Sequence, residues 1–231
     1  MKREILSELG PISVWVVMVM ALGVMVLSAS AMPEENPDGP DDWVDLGLPS
    51  GLLWATRNVG ATTPEEYGDY FAWAETTPKG TYDWTNLRYS VGGCDQLTKY
   101  CGKSSYGRIG FTDSLSVLQP PDDAATALYG GRIPTKEDWQ ELIDNTTSQW
   151  TTQNHVYGRR FTGANGNSIF LPAAGGRNGK SLEYGTNCGF YWSSSLYTEY
   201  PCSAWYCYFF TDGCYVGYYG RAYGHAVRAV R

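Results

Sequence analysis

The last quarter of the chain limits most strongly what it can fold into. From Asn187 to Arg231 it reads NCGFYWSSSLYTEYPCSAWYCYFFTDGCYVGYYGRAYGHAVRAVR. Nine of the 18 Tyr fall between Tyr191 and Tyr223, four of the six Cys are Cys188, Cys202, Cys207 and Cys214, and no Lys follows Lys180. A buried phenol needs a partner for its hydroxyl, so a core absorbs few of them. A contact surface uses the same composition well: Tyr brings stiff, amphipathic area, and Ser and Gly bring adaptability. The segment is therefore expected to be a binding surface carried by the rest of the chain. Tyr191, Trp192, Ala204, Trp205, Phe209, Val227 and Val230 are expected to pack inward. Tyr197, Tyr200, Tyr206, Tyr208, Tyr215, Tyr218, Tyr219 and Tyr223 are expected to point outward. The alternation of Tyr206 and Tyr208 with Cys207 and Phe209 suits a strand with two faces.

At 231 residues the chain suits one domain plus a targeting segment. The net charge of −7 argues against a phosphate-backbone partner, so no nucleic acid is expected. Residues 1–31 read as an export signal: Lys2 and Arg3, then the apolar run Ile12 to Leu27, then Ala29-Ser30-Ala31 as a small-x-small cleavage site. The alternative is an uncleaved membrane anchor, for which the run is short of the ~20 residues that span a bilayer. Either way this segment meets the membrane and the mature chain leaves the cytoplasm for the periplasm, cell surface or exterior. Residues 32–42, with PEENPDGPDD, read as an acidic, Pro-rich linker. The folded domain is expected over 43–231.

Within it, Trp43 to Gly60 reads as two strands around Pro49-Ser50-Gly51, and Tyr70 to Trp73 as a short strand. Thr76 to Gln119 is a long Gly/Ser/Thr/Tyr-rich loop with one or two short strands. Cys94 and Cys101 lie close together in it and are the expected disulfide, which export permits. A helix is expected over Asp122 to Tyr129, between Pro120-Pro121 and Gly130-Gly131. A second is expected from Thr135 to about Asn145, with Thr135 and Asp138 as a capping box and Trp139, Leu142 and Ile143 as its buried stripe. Val156–Thr162 and Ser168–Ala174 read as a hairpin around Asn165-Gly166. Strands are expected near Phe190–Ser194, Ala204–Phe210 and Ala226–Val230, with most Tyr and Cys on the loops between them. The fold class is α+β.

Seven motifs occur in order: VDLGLPSGLLWATRNVG, PEEYGDYFAWAET, DDAA, GGRIPTKEDWQELI, GANGNSIFLPAAGGR, YWSSS and HAVRAV. Together they resemble the bacterial FISUMP-type major paralogous domain family, from about Trp43 to Arg231. That resemblance implies a C-type-lectin-like fold: two helices on small antiparallel sheets, with the chain ends close together. Such proteins are similar to the variable proteins of diversity-generating retroelements, whose 3′ coding end is rewritten by error-prone copying at adenines. An AAC codon randomised at its adenines cannot encode Lys, Glu, Gln, Met, Trp or a stop. Between Tyr197 and Tyr223 every residue except Glu199 and Trp205 passes that test. The resemblance thus implies a variable ligand-binding segment over 188–223. Its contact residues would be Tyr197, Tyr200, Cys202, Tyr206, Tyr208, Phe210, Cys214, Tyr215, Tyr218, Tyr219 and Tyr223, and its ligand a protein or glycan on a cell, phage or host surface. The cysteines at 202, 207 and 214 would then be products of the copying. On the residues alone they pair with one another or with Cys188.

Other readings are weaker. The plainer alternative for the tyrosines is a set of cross-strand aromatic pairs that only stabilise a sheet, as in a structural or adhesive surface module. The Glu-Pro-Asn, Gln-Pro-Asp and Trp-Asn-Asp signatures of calcium-dependent lectins are missing, and no Cys/His spacing suits zinc, so no metal or cofactor is expected. His155 is placed at the surface of the hairpin and His225 beside the C-terminal strand. Neither builds a Ser/His/Asp or Cys/His order, so no catalysis is expected. Formylglycine-generating enzymes share the lectin-like fold and use Cys, which makes a Cys-dependent enzyme the alternative.

Overall fold

The computed structural model describes residues 42–231. Residues 1–31, expected to be an export signal, and residues 32–41 of the expected linker lie outside the described residues. Asp42, placed in the linker by composition, belongs to the domain. Its carboxylate oxygens meet the two terminal nitrogens of Arg57 at 3.0 and 3.2 Å.

The described residues build an α+β fold from small antiparallel sheets, none closed into a barrel, and two α-helices. β1 (Trp43–Asp45) pairs with β2 (Leu53–Asn58), and β11 (Arg228–Val230) pairs with the other edge of β2. Central placement explains why β2 buries side chains on both faces, Trp54 and Ala55 each being fully buried. Leu53 and Arg231 exchange backbone hydrogen bonds of 2.9 and 3.0 Å. The Arg231 guanidinium lies 4.6 Å from the Trp43 ring centroid, so the domain's two ends touch.

Pro120–Asp122 is a 3-10 turn, and α1 (Ala124–Leu128) follows it, capped by the Asp123 side chain on the Thr126 amide. The expected helix over Asp122–Tyr129 is thus shortened at both ends. In α2 (Lys136–Asn145) the capping box forms: the Asp138 amide donates to Thr135 Oγ1 at 3.1 Å, and the Thr135 amide to Asp138 Oδ2 at 2.7 Å. Trp139 and Leu142 are fully buried and Ile143 partly so. β3 (Thr146–Gln153), β4 (Val156–Gly163) and β5 (Ser168–Pro172) form a second sheet, followed by the small hairpin β6 (Gly176–Asn178) and β7 (Ser181–Glu183). β3 is absent from the sequence reading. TTSQWTTQ has the β-branched residues of a strand but no apolar alternation, because it is an edge strand.

The third sheet has order β10-β9-β8, from β8 (Gly189–Leu196), β9 (Ser203–Phe209) and β10 (Cys214–Gly220). β10 corrects the sequence reading, which left Tyr215, Tyr218 and Tyr219 on a loop because two Gly interrupt the apolar pattern. Tyr70–Trp73 is not a strand; Phe71 makes a single bridge to His225. Residues 76–119 form no strand and are pinned by side chains. Asp122, 1% exposed, accepts from Tyr89, Tyr100 and Lys99 at 2.6 Å each.

Buried polar groups join the sheets. Arg228, on β11 and fully buried, donates to Asn58 Oδ1 at 3.0 Å, the Ala55 carbonyl at 2.8 Å and the Phe170 carbonyl at 2.9 Å. Asn58 donates onward to the Tyr191 hydroxyl, which donates to the Pro172 carbonyl at 2.7 Å. β2, β5, β8 and β11 thus share one satisfied network. Arg221, also fully buried, donates to the carbonyls of Tyr100 and Pro201, at 3.1 and 3.0 Å, beneath the Trp73 ring. It holds the long loop against the turn before β9.

Candidate functional site: a two-faced aromatic sheet

Cross-strand partners share a face of a sheet, and successive residues alternate between faces. Tyr191, Cys207 and Val216 are partners on one face, as are Phe209 and Cys214. That face meets α2: Tyr191, Cys207 and Phe209 are fully buried, and Trp139 lies 6.0 Å from Tyr191. The opposite face carries Phe190 and Trp192 from β8, Tyr206 and Tyr208 from β9, and Tyr215 and Tyr219 from β10.

The eight expected phenols are all exposed or half-buried, yet they do not converge on one patch. On the face away from α2, Tyr206 stacks on Tyr208 at 5.0 Å, and Tyr208 meets Tyr215 at 5.5 Å and Phe210 at 5.7 Å. Tyr219 meets Tyr206 at 5.8 Å and Tyr223 at 4.7 Å. The other three lie where the sheet runs past the start of α2. Tyr197 stacks on Tyr218 at 3.9 Å, with Tyr200 5.8 Å and Trp205 5.1 Å from Tyr197. Of the seven residues expected inward, only Trp205 is not buried. It belongs to this smaller cluster, with Lys136 Nζ 4.8 Å from its ring.

The larger cluster borders a cavity of about 290 Å³ whose walls include Phe190, Tyr206, Phe210, Tyr219 and Tyr223. Arg177, Glu183 and the ring of His225 supply its polar groups. Such a space, mostly aromatic with a few polar groups, has the make-up of a ligand site. Two glycines make the arrangement possible. A Cβ on Gly217 would stand 2.9 Å from the Tyr208 ring and 3.3 Å from that of Tyr206, and one on Gly176 would stand 2.8 Å from His225 Nδ1. Gly217→Val is therefore expected to lift the Tyr206–Tyr208 stack off β10. The check is tyrosine fluorescence and near-ultraviolet circular dichroism, which should change while far-ultraviolet dichroism does not.

Arg159 holds the β9–β10 turn from beneath, donating to the carbonyls of Phe210 at 2.9 Å and Thr211 at 3.3 Å. Neither this residue nor Arg221 entered the sequence reading. An arginine in a polar motif gives no sign that its guanidinium will be buried against carbonyls.

His225 is enclosed by rings, with Trp192 4.3 Å, Tyr206 5.4 Å and Phe190 5.5 Å away. Its Nδ1 meets the Gly224 carbonyl at 3.1 Å, and its Nε2 has no hydrogen-bond partner among the described residues. Burial pushes its pKa from 6.5 down to about 3, so the native ring stays neutral while the unfolded chain takes up a proton. Its contribution to stability is complete above about pH 6.5 and is lost as the pH falls from there toward 3. The loss is on the order of 4 kcal/mol by pH 3. Urea titrations across that range should show it, and His225→Phe should flatten the profile. His155 sits exposed in the β3–β4 turn at φ 67°.

The cysteines differ from expectation. Cys94 and Cys101 carry no bond between them: both are free thiols, and the buried Cys101 has its sulfur 3.1 Å from the Lys103 carbonyl. Cys214, an expected contact residue, packs half-buried on the α2 side, and Cys202 is likewise half-buried. Among the described residues no three His, Cys, Asp or Glu side chains gather as a metal site. No helix among them is long and apolar enough to cross a membrane.

No family model matches the chain, and no curated protein or solved structure matches it. The class that fold and site define is an α+β domain that presents a Tyr/Trp-rich aromatic surface near its C-terminus.

Proposed function

We propose that the protein is an exported recognition module of C-type-lectin-like fold, related to the FISUMP-type domains. In this reading it captures a protein or glycan ligand on its aromatic sheet and performs no chemistry. The observation that carries the reading is the outward face of β8–β10. There, rings from three strands lie side by side around a cavity sized for one sugar ring or one large side chain. Exposed aromatic patches mark interaction sites, and stacking with phenol hydroxyl hydrogen bonds suits either ligand. The contact residues are Tyr206, Tyr208, Phe210, Tyr215, Tyr219 and Tyr223. Tyr197, Tyr200 and Tyr218, with Trp205, form a second, flanking surface. The lectin-like assignment is supported by the two helices, the small sheets and the contact between Trp43 and Arg231.

Diversification by a retroelement belongs to the same proposal. Of the two residues that adenine-directed copying of AAC cannot produce, Glu199 is ion-paired to Lys103 at 3.0 Å and Trp205 packs under Lys136. The coding DNA tests this. Codons ending in C at the outward positions, with a nearby near-copy carrying AAC there, are expected; codons ending otherwise would remove the claim.

For recognition itself, the immobilised protein is screened on glycan arrays and on displayed surface proteins of bacteria and phage. Hits should disappear with the outward tyrosines. A structural module is the second reading, favoured by the cross-strand pairing of Tyr208 with Tyr215. It predicts no hits and a large stability loss on removing those rings.

A further inference from the structure

Two of the six sulfurs stand together. Cys207 Sγ lies 3.4 Å from Cys214 Sγ, across β9 and β10 on the side facing α2. Cys94, Cys101, Cys188 and Cys202 are free thiols, the Cys101 sulfur lying 3.1 Å from the Lys103 carbonyl. Among the described residues the pair has no third potential metal ligand beside it, and two sulfurs alone do not hold zinc.

We propose that the oxidised protein carries a disulfide between Cys207 and Cys214. The oxidant is a small-molecule or protein disulfide. For the hairpin pair, the half-buried Cys214 is the entry point. Its thiolate attacks one sulfur of the oxidant, forming a mixed disulfide and releasing one thiolate. Cys207 then gives up its proton and attacks Cys214 Sγ, releasing the second thiolate. Two cysteine thiols lose two protons and two electrons, and one oxidant disulfide becomes two thiols. Burial pushes the Cys207 thiol well up, so closure accelerates as the pH rises.

The bond acts on the presenting surface. Cys207–Cys214 locks β9 to β10 beneath Tyr206, Tyr208 and Tyr215. Holding those rings in place lowers the ordering cost of binding.

The test uses the full chain, purified under reductant and then equilibrated with oxidised glutathione. Alkylation and intact mass should count six thiols before oxidation, and peptide mapping afterwards should give the Cys207–Cys214 link. Free Cys207 and Cys214 thiols after oxidation, or a link from either to another cysteine, would overturn the pairing. Cys207→Ser should leave Cys214 carrying glutathione, whereas Cys214→Ser should leave Cys207 unmodified; the reverse pattern rejects the order of attack. Closing the short loop between Cys207 and Cys214 should raise the thermal midpoint by roughly 5 °C, and a fall on oxidation would reject a bond built into the fold. The wild-type peptide map decides the matter even where a variant fails to fold.

Discussion

Replacing Tyr208, Tyr215 and Tyr219 together by Ala is expected to abolish ligand capture, with a loss of at least roughly 100-fold in affinity. Affinity in such interfaces is concentrated in a few central aromatic side chains worth about 2 kcal/mol or more each. These three rings come from adjacent strands and share the face beside the cavity. Tyr215 and Tyr219 are 46% and 40% exposed, so they contribute little to the core. Losing their cross-strand contacts should cost about 1–3 kcal/mol, within what a domain of this size tolerates. The matched control is Tyr197, Tyr200 and Tyr218 replaced by Ala, which strips the second cluster down to Trp205. Titration calorimetry against a hit from the screen should show loss in the first variant and retention in the second. A first variant that is unfolded by circular dichroism would make those rings structural and end the recognition reading.

Arg228→Ala is expected to cost about 3–5 kcal/mol and to leave the domain at the edge of unfolding. The guanidinium has no solvent exposure and satisfies two backbone carbonyls and the Asn58 side chain, on β2 and β5. Truncation strands those acceptors in the interior, each at about 1–3 kcal/mol, and opens a cavity the size of the side chain. Burial holds the Arg228 pKa down at about 10, so the group remains charged at neutral pH. Its place is tolerable because carbonyl dipoles replace water around it. Guanidinium chloride titration measures the loss. Arg228→Lys should recover only part of it, because an ammonium cannot span three acceptors held by a planar fork. A loss under 1 kcal/mol would show that the network is not what joins β11 to the second sheet.

Local chemistry made some elements readable. The Thr135/Asp138 box and the spacing of Trp139 and Leu142 specify α2 without help from the rest of the chain. The hairpin of β4 and β5 follows from Asn165-Gly166 between apolar runs. In β9, Tyr206 and Tyr208 against Cys207 and Phe209 mark two faces, and burial follows that alternation. β10 was not legible. In CYVGYYG the helix-side residues Cys214, Val216 and Tyr218 alternate with Tyr215, Gly217 and Tyr219. Yet Gly217 has no side chain to show the pattern, since its place is taken by rings from β9. Cys94 and Cys101 stand as free thiols, Cys101 being buried; sequence proximity ranks pairs by loop length and does not record which way a side chain turns.

The amino-acid order alone determined that the C-terminal quarter would hold more phenols than an interior can satisfy, and that most of them would stay near solvent. It also determined where α2 begins and that Tyr191, Ala204 and Phe209 face the core, but not that Trp205 stays outside it. Tertiary structure alone decided that the rings divide between two faces of one sheet, which sulfurs meet, and which arginines are buried among carbonyls. Hydroxyl satisfaction and side-chain period act within a few residues and can be read along the chain. Strand neighbours and burial are set by contacts between segments far apart in sequence, which no local pattern encodes.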